Sequence, residues 1–143
     1  TNNTVDENGL VYDYDAFHAV SDLELYVDWV PYFSIYTEYI SNLSLDENSR
    51  GLTVGTRFGD NALNGYGTWQ ADICYQYLQE DAWLDIYPDL NAYRGHTGVK
   101  GAVLGYKIGL PANLVGQVKG YYFERLSDFN TFSLVDISLA RSF

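Results

Sequence analysis

The feature that most constrains this chain is an apolar/polar alternation of period two, kept up over runs longer than a soluble strand needs. In Phe17–Trp29 the odd positions are Phe17, Ala19, Ser21, Leu23, Leu25, Val27 and Trp29; the even ones are His18, Val20, Asp22, Glu24, Tyr26 and Asp28. Six more segments alternate in the same way: Phe33–Leu43, Leu52–Gly59, Thr68–Glu80, Val99–Leu110, Leu114–Arg125 and Thr131–Phe143. Successive side chains of a strand point to opposite faces, so each segment predicts a strand with one greasy and one wet side. Helical spacing is poor almost everywhere. Most of these segments run 11 to 13 residues, against the usual five or six of a soluble sheet. A tilted strand that crosses a bilayer needs about 9–11 residues, so length favours a transmembrane barrel.

The connections support that reading. Val30–Tyr32, Asp60–Gly65 and Pro111–Asn113 are short or compact, whereas Ser44–Arg50, Asp81–Thr97 and Leu126–Asn130 are mostly longer and more charged. Barrels of outer membranes put tight turns on the periplasmic side and longer loops outside. Aromatic residues gather near the turn ends (Trp29, Tyr32, Phe33, Phe58, Tyr66, Trp69, Phe143) and near the loop ends (Phe17, Tyr39, Tyr75, Tyr77, Tyr122). Two belts with small aliphatic residues between them suit two membrane interfaces. A plainer reading is that aromatics are good strand residues wherever they fall. Of these, Trp29, Tyr32, Phe33, Phe58, Trp69, Tyr75, Tyr77, Tyr122 and Phe143 are the expected girdle.

Composition narrows the class further. The chain has 143 residues and a formal charge of −11, which disfavours any nucleic-acid partner because phosphate backbones would be repelled. Its 47% hydrophobic content rules out a disordered acidic tail. A single cysteine excludes a disulfide framework and a cysteine-rich metal site. The apolar stretch Ile108–Val118, bounded by Lys107 and Lys119, contains Pro111, Asn113 and Gln117 and is too short for a spanning helix, which needs about 20 apolar residues. A sequence that begins at Thr1 without methionine is expected to be either a mature protein or a piece of a longer one.

The stretch DAWLDIYPDLNAYRGHTGVKGAVLGYKIGL, Asp81 to Leu110, resembles a family of bacterial outer-membrane proteins called putative porins. The resemblance extends from about Phe17 to Phe143. It rests on a long acidic loop, a Gly-Val-Lys-Gly entry (Gly98–Gly101), a Gly-Leu turn, the GYYFERL segment (Gly120–Leu126) and a closing amphipathic strand that ends in Phe. That strand also resembles the carboxy-terminal signal read by the barrel-insertion machinery, with Val135, Ile137, Leu139 and Phe143 at the signal positions and Arg141 where an apolar residue is typical. The resemblance implies a bacterial outer-membrane location and diffusion of small hydrophilic solutes. It implies no catalytic residue and no cofactor.

Seven strands are an odd number, and single-chain bacterial barrels usually have an even one. Two arrangements follow for an all-β, antiparallel up-and-down barrel. Either Leu10–Tyr14 adds a short eighth strand within the acidic segment 1–15, or residues 16–143 are the carboxy-terminal part of a larger barrel. The resemblance favours the second. The open edge at Phe17 would then pair with further strands of the same or another polypeptide or of a homo-oligomer. Outer-membrane lipid is the other expected partner.

The wet face is the functional candidate. His18, Asp22, Glu24, Asp28, Glu38, Arg57, Asp72, Lys107, Lys119, Arg125 and Asp136 are expected to line a pore. Acids dominate the first four strands and most bases lie on the third, fifth and sixth, which predicts a transverse field and a mild cation preference. The plainer alternative is that these charges only solvate a lumen or pair with each other. The loop acids Asp46, Glu47, Glu80, Asp81, Asp85 and Asp89 have no calcium-loop spacing and read as surface solvation. Loop residues Arg50, Arg94 and His96 could touch lipid phosphates. Cys74 stands without a catalytic motif. A nucleophilic triad would need His18 or His96 beside a serine and an acid, so no enzyme and no metal site are expected. The competing class is a small closed barrel with a structural or ligand-binding role, either a membrane anchor or a soluble, lipocalin-like one. A lipocalin-like barrel would turn its aliphatic face inward.

Overall fold

β-Branched and aromatic residues at alternate positions favour extended backbone over helix, and that is what forms. The computed structural model describes residues 5–7, 9–10, 13–82 and 96–141, with the side chains of 5, 6, 9 and 10 outside that set. Two short strands, β1 (Val5–Asp6) and β2 (Gly9–Leu10), pair only with each other among the described residues. Seven long strands follow: β3 (Ala16–Glu24), β4 (Tyr32–Asn42), β5 (Arg50–Gly59), β6 (Trp69–Leu78), β7 (Val99–Leu110), β8 (Leu114–Arg125) and β9 (Thr131–Arg141). They form one antiparallel sheet in chain order, an up-and-down meander. Among the described residues no ladder joins β3 to β9, so the sheet is open, as expected of part of a barrel.

Two expectations are corrected. The alternation of Phe17–Trp29 runs past the end of its strand: β3 stops at Glu24, and Val27 bridges Val30 with Asp28 and Trp29 as the turn between them. A tight turn of that length happens to preserve the odd/even pattern. The described residues of Leu10–Tyr14 add no strand to the large sheet: Gly9–Leu10 belongs to the separate hairpin, Asp13 and Tyr14 are outside any strand, and residues 11–12 lie outside the described set.

The register is unbroken, so side-chain parity carries across all seven strands. Leu23, Ile35, Thr56, Ile73, Leu104, Gly120 and Val135 lie on one rung of one face. Glu24, Ser34, Arg57, Asp72, Gly105, Lys119 and Asp136 form the neighbouring rung of the other. The first face is exposed and greasy: Ile137 is 77% exposed, Leu104 58%, Leu23 57% and Ile73 47%. The buried cluster sits on the opposite face, towards the loop ends, and comprises Cys74, Val99, Val103, Tyr121 and Phe123 with Tyr36, Leu78, Phe132 and Leu134 against it. No helix or second large sheet covers it among the described residues. Part of its shelter comes from side chains laid across glycines. A Cβ at Gly101 would strike the Phe123 side chain and the Tyr122 carbonyl, and one at Gly55 would strike the Tyr36 ring.

Candidate functional site

The face opposite the greasy one has two tiers. Towards the loops it is the apolar cluster just described, so the expectation of a wholly polar face is corrected there. Phe123, Phe132, Leu134, Leu78 and Val99 share its parity and pack together. Towards the turns it is charged. Along one rung the signs run Glu24, Arg57, Asp72, Lys119, Asp136, acid and base in turn, with Ser34 and Gly105 as neutral steps. The register thus interleaves the two signs, where a transverse separation was expected.

Several of these charges are held by particular contacts. Arg57 on β5 reaches over the intervening strand β4. Its guanidinium lies 4.2 Å from the Tyr36 ring centroid, and Nη1 donates to Asp22 Oδ2 on β3 at 2.9 Å. His18 Nε2 meets Glu38 Oε1 at 2.6 Å. Arg125, at the loop end of β8, pairs with Asp128 at 3.3 Å. The Asp72 carboxylate lies directly over Gly105, where any side chain would collide with it. Ser34 is fully buried between Glu24 and Arg57, and its hydroxyl has no hydrogen-bond partner among the described residues. Lys107, Lys119 and Asp136 share the face and make no ion pair among the described residues. A hollow of about 330 Å³ opens among the charges at the turn end, lined by Glu24, Tyr32, Arg57, Phe58, Asn61, Gln70, Ala71, Asp72 and Lys107.

Of the residues expected to line a pore, then, all but one occupy this face. Asp28 is the exception, because it sits in the turn after β3. Tyr32 also moves. It was expected in the girdle, but neighbours on a strand face opposite ways, so with Phe33 on the greasy side Tyr32 must take the charged side, where it lines the hollow.

Among the described residues the rest of the girdle is on the greasy face. At the turn end the rings touch in series: Trp29 to Phe33 at 5.9 Å, Trp29 to Phe58 at 6.2 Å, Phe58 to Trp69 at 6.0 Å and Trp69 to Tyr106 at 6.2 Å. Tyr106 completes this chain and was not foreseen, although its alternation with Lys107 signalled its side. At the loop end Tyr75 and Tyr122 share a rung across Ala102, and Tyr77 lies beyond them opposite Lys100. From Phe33 to Tyr39 is six residues, about 20 Å of strand, and from Trp69 to Tyr77 eight, about 26 Å, close to the apolar band of roughly 25 Å on membrane barrels. The greasy face ends at a Lys100–Glu124 ion pair of 2.8 Å. Val135, Ile137 and Leu139 alternate outward on β9. Phe143, with Asp85, Asp89 and Arg94, lies outside the described residues.

Asn42 is a loop-end residue that the sequence pattern does not single out. It is fully buried where β4 meets the loops. Its side-chain oxygen accepts from the amides of Asp15 (3.2 Å) and Ser44 (3.1 Å), and its nitrogen donates to the carbonyls of Asp13 and Asp81 (3.2 Å each). Tyr14 adds a bond to the Asp81 carboxylate at 3.1 Å. Three segments distant in sequence are thereby tied together at the loop end. In the β8–β9 loop, the Asn130 backbone amide beside Asp128 holds that carboxyl below the usual range, with help from the Asn130 side chain and Arg125.

Comparison with known proteins agrees with this geometry. No curated protein and no solved structure matches the chain. A family profile described as putative porin matches residues 6–133, nearly the whole length and including most of the acidic amino-terminal segment. The match covers well over half of the chain, and the chain belongs to the putative porin family.

Proposed function

We propose that this chain forms wall of an outer-membrane β-barrel through which small hydrophilic solutes diffuse passively, with a mild preference for cations. The observation that carries the reading is the pairing of two faces: a continuous exposed apolar surface bounded by aromatic rings, backed by a face whose turn half is charged. The family points the same way, towards transport without catalysis. Apolar side chains on the outside suit acyl chains, and the charges on the other face suit a water-filled lumen.

The partners follow from the same geometry. Outer-membrane lipid covers the greasy face. The insertion machinery reads Val135, Ile137 and Leu139 on the last strand. The free edges of β3 and β9 pair with further strands, from the same or another polypeptide or from a homo-oligomer, because amides left open in lipid cost several kcal/mol each. The lipocalin-like alternative needs Leu23, Ile73 and Ile137 in a dry interior, opposite to their exposure here.

Planar-bilayer recording tests the proposal. Under a potassium chloride gradient at low salt the reversal potential is expected to favour potassium, since Asp22, Glu24, Glu38, Asp72 and Asp136 outnumber the bases of the same face. A potential favouring chloride contradicts the cation preference, and absence of conductance contradicts the channel.

A further inference from the structure

We infer that the hollow at the turn end of the charged face binds a small zwitterionic solute, with an ammonium and a carboxylate on a short polar backbone, of the size of a dipeptide. The inference rests on the channel reading for how such a solute arrives. Three charges line the hollow without a hydrogen bond or ion pair among the described residues: Glu24, Asp72 and Lys107. Arg57 also borders it, but its guanidinium is already engaged by Asp22 and stacked on Tyr36.

Asp72 and Lys107 lie on adjacent strands one rung apart, since Gln70 faces Lys107 and Asp72 faces Gly105. Diagonal neighbours of this kind have Cα atoms about 7–8 Å apart, within reach of a direct salt bridge. The bridge is not made. The Asp72 carboxylate instead occupies the space over Gly105, while the Lys107 ammonium is left to the hollow. Two charges of opposite sign that do not reach each other, on side chains rooted about 7–8 Å apart, can be bridged by the ends of a dipeptide, which are at most about 7 Å apart when extended. A simple ion would satisfy one of them and be repelled by the other. A zwitterion satisfies both, with its ammonium on Asp72 or Glu24 and its carboxylate on Lys107. Asn61, Gln70 and Tyr32 offer neutral donors and acceptors for the amide between. A volume of about 330 Å³ leaves room for such a solute and some of its water.

The test is binding of glycylglycine to the folded, detergent-solubilised full chain, followed by saturation-transfer NMR. Glycylglycinamide (cation only) and N-acetylglycine (anion only) serve as size-matched comparisons. Glycylglycine is expected to bind at least about tenfold more tightly than either, the effect of one charge-assisted hydrogen bond. Lys107→Gln and Asp72→Asn should each weaken it about tenfold, and Glu47→Gln in the exposed loop should leave it unchanged. Equal binding of the three solutes, or no glycylglycine signal up to about 100 mM, overturns the inference without any variant. Retained affinity in both hollow variants overturns it as well. Bilayer conductance of the same preparation is scored separately: a silent protein sinks the channel reading, whereas a conducting protein indifferent to zwitterions sinks this inference alone.

Discussion

Replacing Asn42 by alanine should loosen the loop end without disturbing the seven-stranded sheet. The side chain is fully buried and makes four hydrogen bonds to backbone groups of Asp13, Asp15, Ser44 and Asp81. Three of the four are partly accessible, so water takes over some of their partners once the amide is gone; the bond to the Asp81 carbonyl is buried and has no such replacement. At about 1 kcal/mol for each bond lost, and somewhat more for the buried carbonyl, the cost is roughly 2–4 kcal/mol. The opening equilibrium of the three tied segments should therefore rise by about 30- to 1000-fold. Hydrogen exchange in lipid vesicles reads this directly: the amides of Leu43 and Asp81, which bond to the carbonyls of Asp15 and Asn48, should lose protection while those of β7 and β8 keep theirs. Ser44→Ala is the control, because only its backbone amide takes part, and a surface change of that kind moves stability by no more than about 0.5 kcal/mol. Unchanged protection at Leu43 and Asp81 in the Asn42 variant would refute the reasoning.

Other perturbations test other parts of the account. Gly101→Ala puts a Cβ against the Tyr122 carbonyl and Phe123 and should cost about 1–3 kcal/mol in urea unfolding from vesicles, whereas Gly120→Ala, with no atom nearer than 4.0 Å, should be close to neutral. Trp69→Ala removes two ring contacts of the turn-end belt, each worth about 0.5–1.5 kcal/mol, so a loss below about 0.5 kcal/mol would argue against a working girdle. Asp128 has a lowered carboxyl pKa, so its contribution to the β8–β9 loop is fully present above the ordinary aspartate range and fades only as pH falls through the lowered value. In an NMR titration its carboxyl should titrate below an unfolded reference; titration at or above that reference contradicts the Asn130 contact.

Much of the architecture was legible in local pattern because a strand's periodicity of two leaves so little freedom. Once parity was read for β4 to β9, the faces of Ile35, Ile73, Leu104 and Ile137 followed, and the structure keeps them together. The pattern misleads where that rule does not reach. Tyr32 and Phe33 both stand near a turn, but adjacent strand residues cannot share a face. Asp28 kept the alternation of β3 only because the turn after Glu24 has a length that preserves it. The apolar tier was harder to see, since Phe123, Phe132 and Leu134 interrupt an otherwise polar side; their packing depends on Gly101 and on strand neighbours fixed by register. Asn42 was invisible for a different reason. Its partners at 13, 15, 44 and 81 are brought together by the closing of loops, which no local pattern records.

The central claim is that the greasy face meets lipid and the charged face meets water. Spin labels at single cysteines, introduced in a Cys74→Ser background and studied in phospholipid vesicles, measure it most directly through collision with oxygen, which concentrates in the bilayer, and with a water-soluble nickel chelate. Labels at Leu23, Ile73, Leu104 and Ile137 should favour oxygen, and labels at Asp22, Asp72 and Asp136 should favour nickel. Nickel access at the first set equal to that at the second, or the reverse pattern, would contradict the account.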